Sequence, residues 1–274
     1  MDFSKTKLGK FYPIPDEYDP SLLDVLVRGS CAGPRSFFTG CDIWWVHELT
    51  WLNSDGFPCR ACARLVIPST SDGLVESKSA KSYFNSFRFT SFVTPDALKD
   101  TIVRDFSSAL GCRVECRIDS FSYGVGVPAN IGECLDGGTV KFSSYGNEIR
   151  RDGLKLMQGD SRHVRCHTNL FLTHCPVTSQ PDLATVVIDC DSAPFDNEGL
   201  VKYLLSYRRS SDFNEICCDQ VFYDLHKHYL PKHLVVVMFY MRRGGIAITP
   251  LRYGGTSADT SVLPDILGYE VPFG

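Results

Sequence analysis

Tyr83-x-x-Ser86-Phe87-Arg88 recurs 120 residues later as Tyr203-x-x-Ser206-Tyr207-Arg208. Around this motif, residues 65–67 align with 186–188 and Val114 aligns with Val235, each at an offset of 121. Segments that keep one spacing across half a chain indicate two copies of one structural unit. The sequence therefore predicts a tandem duplication, in which residues unique to each copy can share one composite site if the copies pack together.

Both copies show the same order of predicted elements: a strand hairpin, two helices and a second strand pair. Alternating apolar residues predict the strands, and apolar residues three to four positions apart predict the helices. In the first copy the strands are predicted at 43–51, 62–67 and 113–121, and the helices at 78–88 and from 95 onward. In the second copy the strands are predicted at 170–177, 185–189, 234–241 and 246–248, and the helices at 197–208 and 213–228.

This order predicts an α+β fold with antiparallel strands on one side and paired helices on the other. It matches the tunnelling fold, in which the sheets of several units join into a barrel on oligomerisation, but it also suits other two-layer sandwiches. Three segments are predicted: an irregular N-terminal arm at 1–40, a first module at 41–145, and a second module at 146–274 that carries the nucleophile.

Composition excludes several classes of protein. The 274 residues carry a net charge of −4, are 43% hydrophobic and 22% charged, and show no basic stripe, so direct nucleic-acid binding is not expected. No segment approaches the ~20 apolar residues of a membrane span, and residues 1–5 lack a signal-peptide core. A soluble cytoplasmic protein is the expectation.

Twelve cysteines raise the alternatives of zinc or disulfides. Cys59-x-x-Cys62 and Cys112-x-x-x-Cys116 have spacings that zinc ligands use, but each pair falls in a strand-like run without the usual glycine. Disulfides are rare in reducing compartments. We therefore expect no metal, and most of the cysteines are expected to behave as small buried hydrophobic residues.

Residues 75–81, Val-Glu-Ser-Lys-Ser-Ala-Lys, open the first predicted helix. The simpler interpretation is a helix N-terminus, where the serines cap free N–H groups and the acid complements the helix dipole. The alternative is an anion site, in which backbone N–H groups, Ser77 and Lys78 face a phosphate. The turn Arg242-Arg243-Gly244-Gly245 is either a second phosphate-binding element or a charged exposed turn.

Cys175 and Asp182 flank a predicted hairpin turn. Alone, the cysteine would be a core residue and the aspartate a turn former, yet a hairpin would place a thiol nucleophile beside a carboxyl acid. Glu215 opens the last helix of the second copy. It is either the third residue of a helix capped by Asp212, or a carboxylate that binds a planar N–H/NH₂ edge.

Together these segments resemble the long, two-module form of the NADPH-dependent 7-cyano-7-deazaguanine reductases, the nitrile reductases of queuosine biosynthesis. The resemblance runs from about residue 40 to 253. Four motifs carry it: Asp42-Ile43-Trp44-x-x-x-Glu48-Leu49-Thr50-Trp51-Leu52-Asn53, Glu76-Ser77-Lys78-Ser79-x-Lys81-x-Tyr83-x-Asn85-Ser86-Phe87, Cys175-x6-Asp182, and Tyr240-x-Arg242-Arg243-Gly244-Gly245-x-x-Ile248-x-Pro250.

The resemblance implies a role for each matching residue. Cys175 would attack the nitrile carbon to form a thioimide, Asp182 would supply a proton, and two NADPH molecules would supply hydrides. Glu215 would bind the base edge. Residues implied to bind substrate are Val75, Glu76, Ser77, Asn214 and Glu215, and those implied to bind NADPH are Ser77, Lys78, Arg243 and Gly244. A homodimer is also implied.

One departure from the family pattern concerns Asn214. The family has histidine immediately before the glutamate that matches Glu215, the proposed clamp for the edge of the base. Asn cannot titrate at neutral pH, and acid–base help is worth about 10²–10⁴ in rate. Two alternatives therefore remain beside the reductase. One is a thioimide-forming, amidine-type transferase without reduction, and the other is a weakened module that binds deazapurines without turnover.

Overall fold

The computed structural model of the chain describes residues 16–29, 35–120, 127–129, 131–136, 146, 148–176, 178–257 and 259–268. The architecture is α+β with mainly antiparallel strands. The chain divides into two compact units: unit 1 comprises Met1–Gly29, Cys41–Val125 and Arg242–Ile248, and unit 2 comprises Ser30–Gly40, Gly126–Met241 and Thr249–Gly274.

Unit 1 is built on an antiparallel ladder whose strand order is β5-β3-β2, and a separate two-stranded pair joins β1 and β4. Its elements are β1 (Val25–Val27), β2 (Thr39–Leu52), β3 (Pro58–Pro68), β4 (Gly73–Val75), α1 (Ser77–Ser86), α2 (Pro95–Leu110) and β5 (Glu115–Ser120).

The α2 helix has clear boundary signals in the sequence. The Thr94 side chain accepts from the Ala97 N–H at 3.1 Å, Pro95 occupies the first turn, and Gly111 ends the helix at φ 65°. A β-hydroxyl cap, an N-terminal proline and a left-handed glycine are the usual determinants of such a helix. The apolar face of α2 packs on the ladder through Leu98, Ile102 and Phe106, which are fully buried.

Unit 2 repeats this plan with a longer ladder in the order β10-β9-β8-β7-β6, in which only the β6–β7 pair is parallel. Its elements are β6 (Glu133–Cys134), β7 (Arg162–His174), β8 (Pro181–Ser192), α3 (Asn197–Leu205), α4 (Asn214–Tyr229), β9 (His233–Tyr240), β10 (Ile246–Gly254) and α5 (Leu263–Leu267). The first three residues of β10 belong to unit 1.

The element order agrees with the predicted duplication, since β2-β3-α1-α2-β5 corresponds to β7-β8-α3-α4-β9. Each first strand also carries a register shift at the same relative place, between Val46 and Leu49 in β2 and between Thr168 and Phe171 in β7.

Two predictions differ from the structure. The strand predicted at 170–177 runs instead from 162 to 174, because the register shift inside it breaks the alternation that the prediction used. The N-terminal arm, predicted to be irregular, contains β1, and Leu22 beside it is buried in the core of unit 1. The segment boundaries at 40 and 145 remain predictions.

Across the described ranges, every helix is either too short or too polar to cross a membrane.

Candidate active site

The shift of register in β7 determines which way the end of that strand faces. Before the shift, Cys166 is buried in the core under the helices of unit 2, and after it Phe171 occupies the same core, although five residues separate them. An odd separation would put these side chains on opposite faces of a regular strand. The extra residue of the bulge restores the phase, so Thr173 also faces the helices.

Cys175 and Asp182 lie at the open end of the β7–β8 hairpin. Asp182 is directly opposite Thr173 in the ladder, and the Cys175 N–H continues the pairing by donating to the Gln180 carbonyl at 2.9 Å. Residues two apart on a strand share a face, and cross-strand partners share it too. Cys175, Thr173 and Asp182 are therefore on the helix-facing side, as the hairpin prediction requires.

The turn between these strands is tight. The Ser179 N–H donates to the Cys175 carbonyl at 2.9 Å, and Ser179 has φ 54°, a left-handed conformation unusual for a residue other than glycine. Cys175 is half-buried, and Asp182 is 9% exposed. A thiol and a carboxyl group are thus held at the edge of the core, at the end of the hairpin.

Backbone pairing also ties the start of α4 to this end of β7. The His174 N–H donates to the Ser210 carbonyl at 2.9 Å, and His174 forms a parallel bridge with Ser211. Four residues after Ser211, Glu215 lies in the first turn of α4 and is 3% exposed. The structure therefore brings the predicted nucleophile, acid and base clamp to one end of unit 2.

Two residues of this region, Tyr240 and Cys217, were not predicted as site residues. Burial raises the pKa of the Tyr240 phenol, and the nearby thiol of Cys217 and carboxylate of Asp182 raise it further. Burial also raises the pKa of the Cys217 thiol, and Glu215 adds to that increase. Tyr240 is thus near enough to Asp182, and Cys217 to Glu215, for their charges to interact. Tyr240 is the cross-strand partner of Ala184, so the two side chains both lie on the helix-facing side of the sheet. The sequence alone does not show this, because it depends on the strand register.

The predicted cap of α4 was wrong. The N-cap residue is Phe213, which has no side-chain cap, and the Asp212 carboxylate instead accepts the Phe213 N–H at 2.8 Å. Asn214 is therefore the first helical residue and is half-buried. Burial raises the pKa of Asp212, whose carboxyl group lies three residues before Glu215.

In unit 1, the segment that precedes α1 places Val75 in the core and makes Glu76 the N-cap, where a serine was predicted to cap. The Glu76 carboxylate accepts from the N–H groups of Lys78 and Ser79 at 2.8 and 2.7 Å. Burial raises its pKa, although these two N–H groups oppose the shift. Ser77 and Lys78 are exposed on the first turn.

The turn that holds Arg243 and Gly244 packs beside the same helix. Gly244 has φ 55°, and a Cβ there would lie 3.0 Å from the Lys81 side chain, one helical turn after Lys78. Gly245 is closer still to its neighbour, since a Cβ would lie 2.5 Å from the carboxyl carbon of Glu48. The exposed cations Lys78 and Arg243 and the bare glycine backbone fit a phosphate-bearing cofactor such as NADPH.

Among the described residues of unit 1, the position that corresponds to the nucleophile carries no thiol. The bridge of Leu52 with Ser91 corresponds to that of His174 with Ser211, so Trp51 stands where unit 2 has Thr173. Trp51 is buried in the aromatic core of unit 1, and Asn53 takes the place of the cysteine. Within the described part of the chain, moreover, no three His, Cys, Asp or Glu side chains are grouped closely enough to hold a metal ion.

Comparison with known proteins identifies two family matches along the chain. Residues 14–118 match the family described as nitrile reductase, 7-cyano-7-deazaguanine reductase N-terminal, and residues 181–258 match the QueF-like protein family. A relative from Desulfotalea psychrophila, named NADPH-dependent 7-cyano-7-deazaguanine reductase, is 36% identical over 254 residues, covering 89% of this chain and 91% of the relative.

A second relative of the same name, from Xanthomonas campestris pv. campestris strain 8004, is 37% identical over 256 residues, covering 90% of this chain and 92% of the relative. Among solved structures, the apo form of the archaeosine synthase QueF-Like matches 36% of this chain and 97% of that chain at 15% identity. The TM-score of 0.31 is too low for that match to establish a shared fold.

Proposed function

Because the chain belongs to the family of NADPH-dependent 7-cyano-7-deazaguanine reductases, we propose that it reduces the nitrile of 7-cyano-7-deazaguanine to an aminomethyl group, in queuosine biosynthesis. It is thus an NADPH-dependent oxidoreductase. The observation that supports this function most directly is the placement of Cys175 and Asp182 on one face of a hairpin, with Glu215 tied to the same end.

Cys175 is proposed as the nucleophile. Its sulfur bonds to the nitrile carbon as the S–H bond breaks, and the proton passes to the nitrile nitrogen, giving a thioimide. Asp182, which is 9% exposed, is proposed as the acid that delivers this proton. A nitrile is a poor hydride acceptor, and the protonated thioimide is a better one.

Complete reduction takes up four electrons and four protons. Bound NADPH supplies the hydrides, one from each of two molecules. The residues proposed to hold it are Ser77, Lys78, Arg243 and Gly244, of which Lys78 and Arg243 offer charge to the extra phosphate of NADPH. The exposed position of both cations and the left-handed Gly244 support this assignment.

Substrate recognition is assigned to Glu215. A carboxylate can accept two parallel hydrogen bonds, which suits the adjacent N1–H and 2-amino groups of a deazaguanine. Asn214, Val75, Glu76 and Ser77 are proposed to contribute to substrate binding, in line with the family motif. Asn214 can donate or accept hydrogen bonds but does not titrate, so Asp182 or water carries the proton transfers.

The assembly and location belong to the same proposal. Two units with matching hairpin-helix-helix order support a tandem tunnelling fold, with a barrel completed in a homodimer in the cytoplasm. Light scattering after gel filtration tests the dimer, since a monomeric mass would contradict it. Net charge of −4 supports the expectation that nucleic acid is not a direct partner.

The test of function is oxidation of NADPH in the presence of 7-cyano-7-deazaguanine, followed by absorbance. Oxidation of two NADPH per nitrile, abolished in Cys175→Ala, is the expected result. Cys134→Ala is the matched control, because this exposed thiol lies in the same unit and has no proposed role. Intact-mass analysis without NADPH should show an adduct in the wild type and in Cys134→Ala, but not in Cys175→Ala.

The same experiment separates the two alternatives. An adduct on Cys175 without NADPH oxidation would contradict the reductase and favour either the amidine-type transferase or the binding module. Release of an amidine when ammonia is added would then identify the transferase. Absence of both adduct and oxidation would reject thioimide chemistry altogether.

A further inference from the structure

A buried ion pair connects α4 to β10 within unit 2. The Arg252 Nε donates to the Asp219 Oδ1 at 2.5 Å, and the two side chains are 0% and 1% exposed. Asp219 lies four residues after Glu215, one helical turn along α4 and on the same side of it. The Arg252 guanidinium therefore binds α4 one turn after Glu215, the proposed base clamp.

The same guanidinium has other partners that fix its plane. It donates to the Leu251 carbonyl at 2.8 Å and reaches the Glu215 carbonyl at 3.5 Å, and its central carbon lies 5.5 Å from the centre of the Phe38 ring. The planar fork of arginine can make these contacts together, whereas the single ammonium of lysine cannot. Arg252 thus joins the first turn of α4 to the backbone of β10.

Such a pair is costly to bury and is weak evidence of a stabilising role, since well-packed apolar residues often stabilise as much. Its effect here is geometric. Glu215 is at the start of a helix whose N-cap residue, Phe213, provides no side-chain cap, so the rotation of the first turn depends on what holds it from the side. Misplacement of a binding group by 1 Å can cost about 100-fold in rate.

We propose that Arg252, acting through Asp219 and the Glu215 backbone, is a positioning residue that sets the orientation of the Glu215 carboxylate and so the recognition of the base edge. This inference rests on the proposed function, in which Glu215 accepts hydrogen bonds from the N1–H and 2-amino groups. In this proposal Arg252 acts through α4 and has no contact of its own with the substrate.

The test replaces the whole ion pair, as Arg252→Met/Asp219→Leu, so that no unpaired charge is left buried. The chain offers a matched control in Arg28 and Asp42 of unit 1, an ion-paired arginine and aspartate whose side chains are also 0% and 1% exposed. The readouts are KM, kcat and the ratio of kcat/KM for 7-cyano-7-deazaguanine to that for the analogue that lacks the 2-amino group.

In the Arg252→Met/Asp219→Leu variant, KM should rise about 10-fold or more while kcat changes less, and the preference for the 2-amino group should fall about 10-fold or more. In Arg28→Met/Asp42→Leu this preference should stay as in the wild type. An unchanged preference in the Arg252→Met/Asp219→Leu variant would overturn the proposal. It would show that the ion pair has a merely structural role, which does not affect recognition of the 2-amino group.

Arg252→Lys keeps the buried charge pair and provides a second variant if the double variant does not fold, as judged by circular dichroism. It should lose part of the same preference, and full retention would overturn the proposal. Glu215→Gln distinguishes failure of the proposed Glu215 clamp from failure of the positioning role of Arg252. If Glu215→Gln keeps the 2-amino preference, the proposed clamp itself fails; if it loses the preference while the Arg252 variants keep it, only the positioning role fails.

Discussion

The Tyr203 phenol donates a hydrogen bond of 2.8 Å to the Asp224 carboxylate, which links α3 to α4 inside unit 2. The same relation occurs in unit 1, where Tyr83 donates to Asp105 at 2.7 Å. Both phenols are fully buried, and burial is the main cause that raises the pKa of each. The two copies therefore share a buried polar link between their helices as well as an order of elements.

Removal of the Tyr203 hydroxyl should destabilise the protein, because a buried carboxylate loses a donor. Tyr203→Phe is expected to lower the free energy of unfolding by about 1–3 kcal/mol. Tyr83→Phe should cost less, since Asp105 keeps hydrogen bonds from Tyr18 at 2.6 Å and from Arg104, whereas Asp224 keeps the one from Arg151. Urea denaturation measures both, and a larger loss in Tyr83→Phe would contradict this order.

Asp182→Asn should slow formation of the Cys175 adduct. Loss of a positioned general acid costs about 10²–10⁴ in rate, and an amide cannot supply the proton. Rapid mixing with nitrile followed by intact-mass analysis gives the rate of adduct formation. The exposed Asp160 provides the control, and Asp160→Asn should form the adduct at the wild-type rate. Equal rates for Asp182→Asn and wild type would remove Asp182 from the chemistry.

Asn214→His should raise turnover by about tenfold or more, because a group that titrates near pH 6.5 then starts α4 beside Glu215. The pH profile of kcat should gain a new limb in that range. Steady-state rates of both proteins across pH measure the effect. An unchanged rate with an unchanged profile would show that proton transfer at position 214 does not limit the reaction.

Lys78→Ala and Arg243→Ala should each raise the KM for NADPH more than the KM for NADH, because only NADPH carries the additional phosphate. Both cations are exposed beside a glycine turn or a helix start, so folding should be unaffected. Lys99→Ala is the control, since Lys99 pairs with Asp96 on α2 at 2.6 Å and has no proposed contact with the cofactor. Equal losses for both cofactors would reject phosphate recognition by these residues.

The Asp136 carboxylate holds the bulge of β7. The stability of the protein should therefore depend on pH in the acid range. The carboxylate accepts from the Thr168 hydroxyl at 2.6 Å and from the Asn169 side-chain amide at 2.8 Å. Burial tends to raise the pKa of Asp136, but these hydrogen bonds lower it overall. A lowered folded pKa gives stabilisation that is present above the unfolded value of about 3.9 and is lost as pH falls through the folded value.

Asp136→Asn should therefore be less stable than the wild type at about pH 5, and the difference should shrink as the pH falls below about 4. Denaturant midpoints at several pH values measure this difference. A gap that stays constant down to low pH would show that the carboxylate charge is not what holds the bulge.

Much of the fold could be predicted because its determinants are local. The recurrence of Tyr83 and Tyr203 located both helix pairs, and Thr94, Pro95 and Gly111 mark α2 in the sequence itself. The hairpin that joins Cys175 to Asp182 followed from two apolar runs around a polar turn. Each of these signals spans only a few residues, so it can be recognised in the sequence without knowledge of tertiary contacts.

The features that could not be predicted depend on distant partners. The bulge in β7 is bound by Asp136, more than 30 residues away, so its polar sequence gave no strand pattern. Arg252 finds Asp219 across 33 positions, and nothing in the local sequence marks either as a pair. The cap of α1 is Glu76, a residue type less common there than the serine beside it.

Unit 1 takes residues from two distant stretches of the chain, since Arg242–Ile248 belongs to it together with Cys41–Val125. A ribosome releases the chain from the N-terminus, and domains generally fold in that order as they emerge. Here unit 1 is completed only by residues 242–248, which are synthesised after most of unit 2. Nascent chains that stop before residue 242 thus lack the glycine turn and leave the bulge of β2 without the Gly245 carbonyl that accepts the His47 N–H.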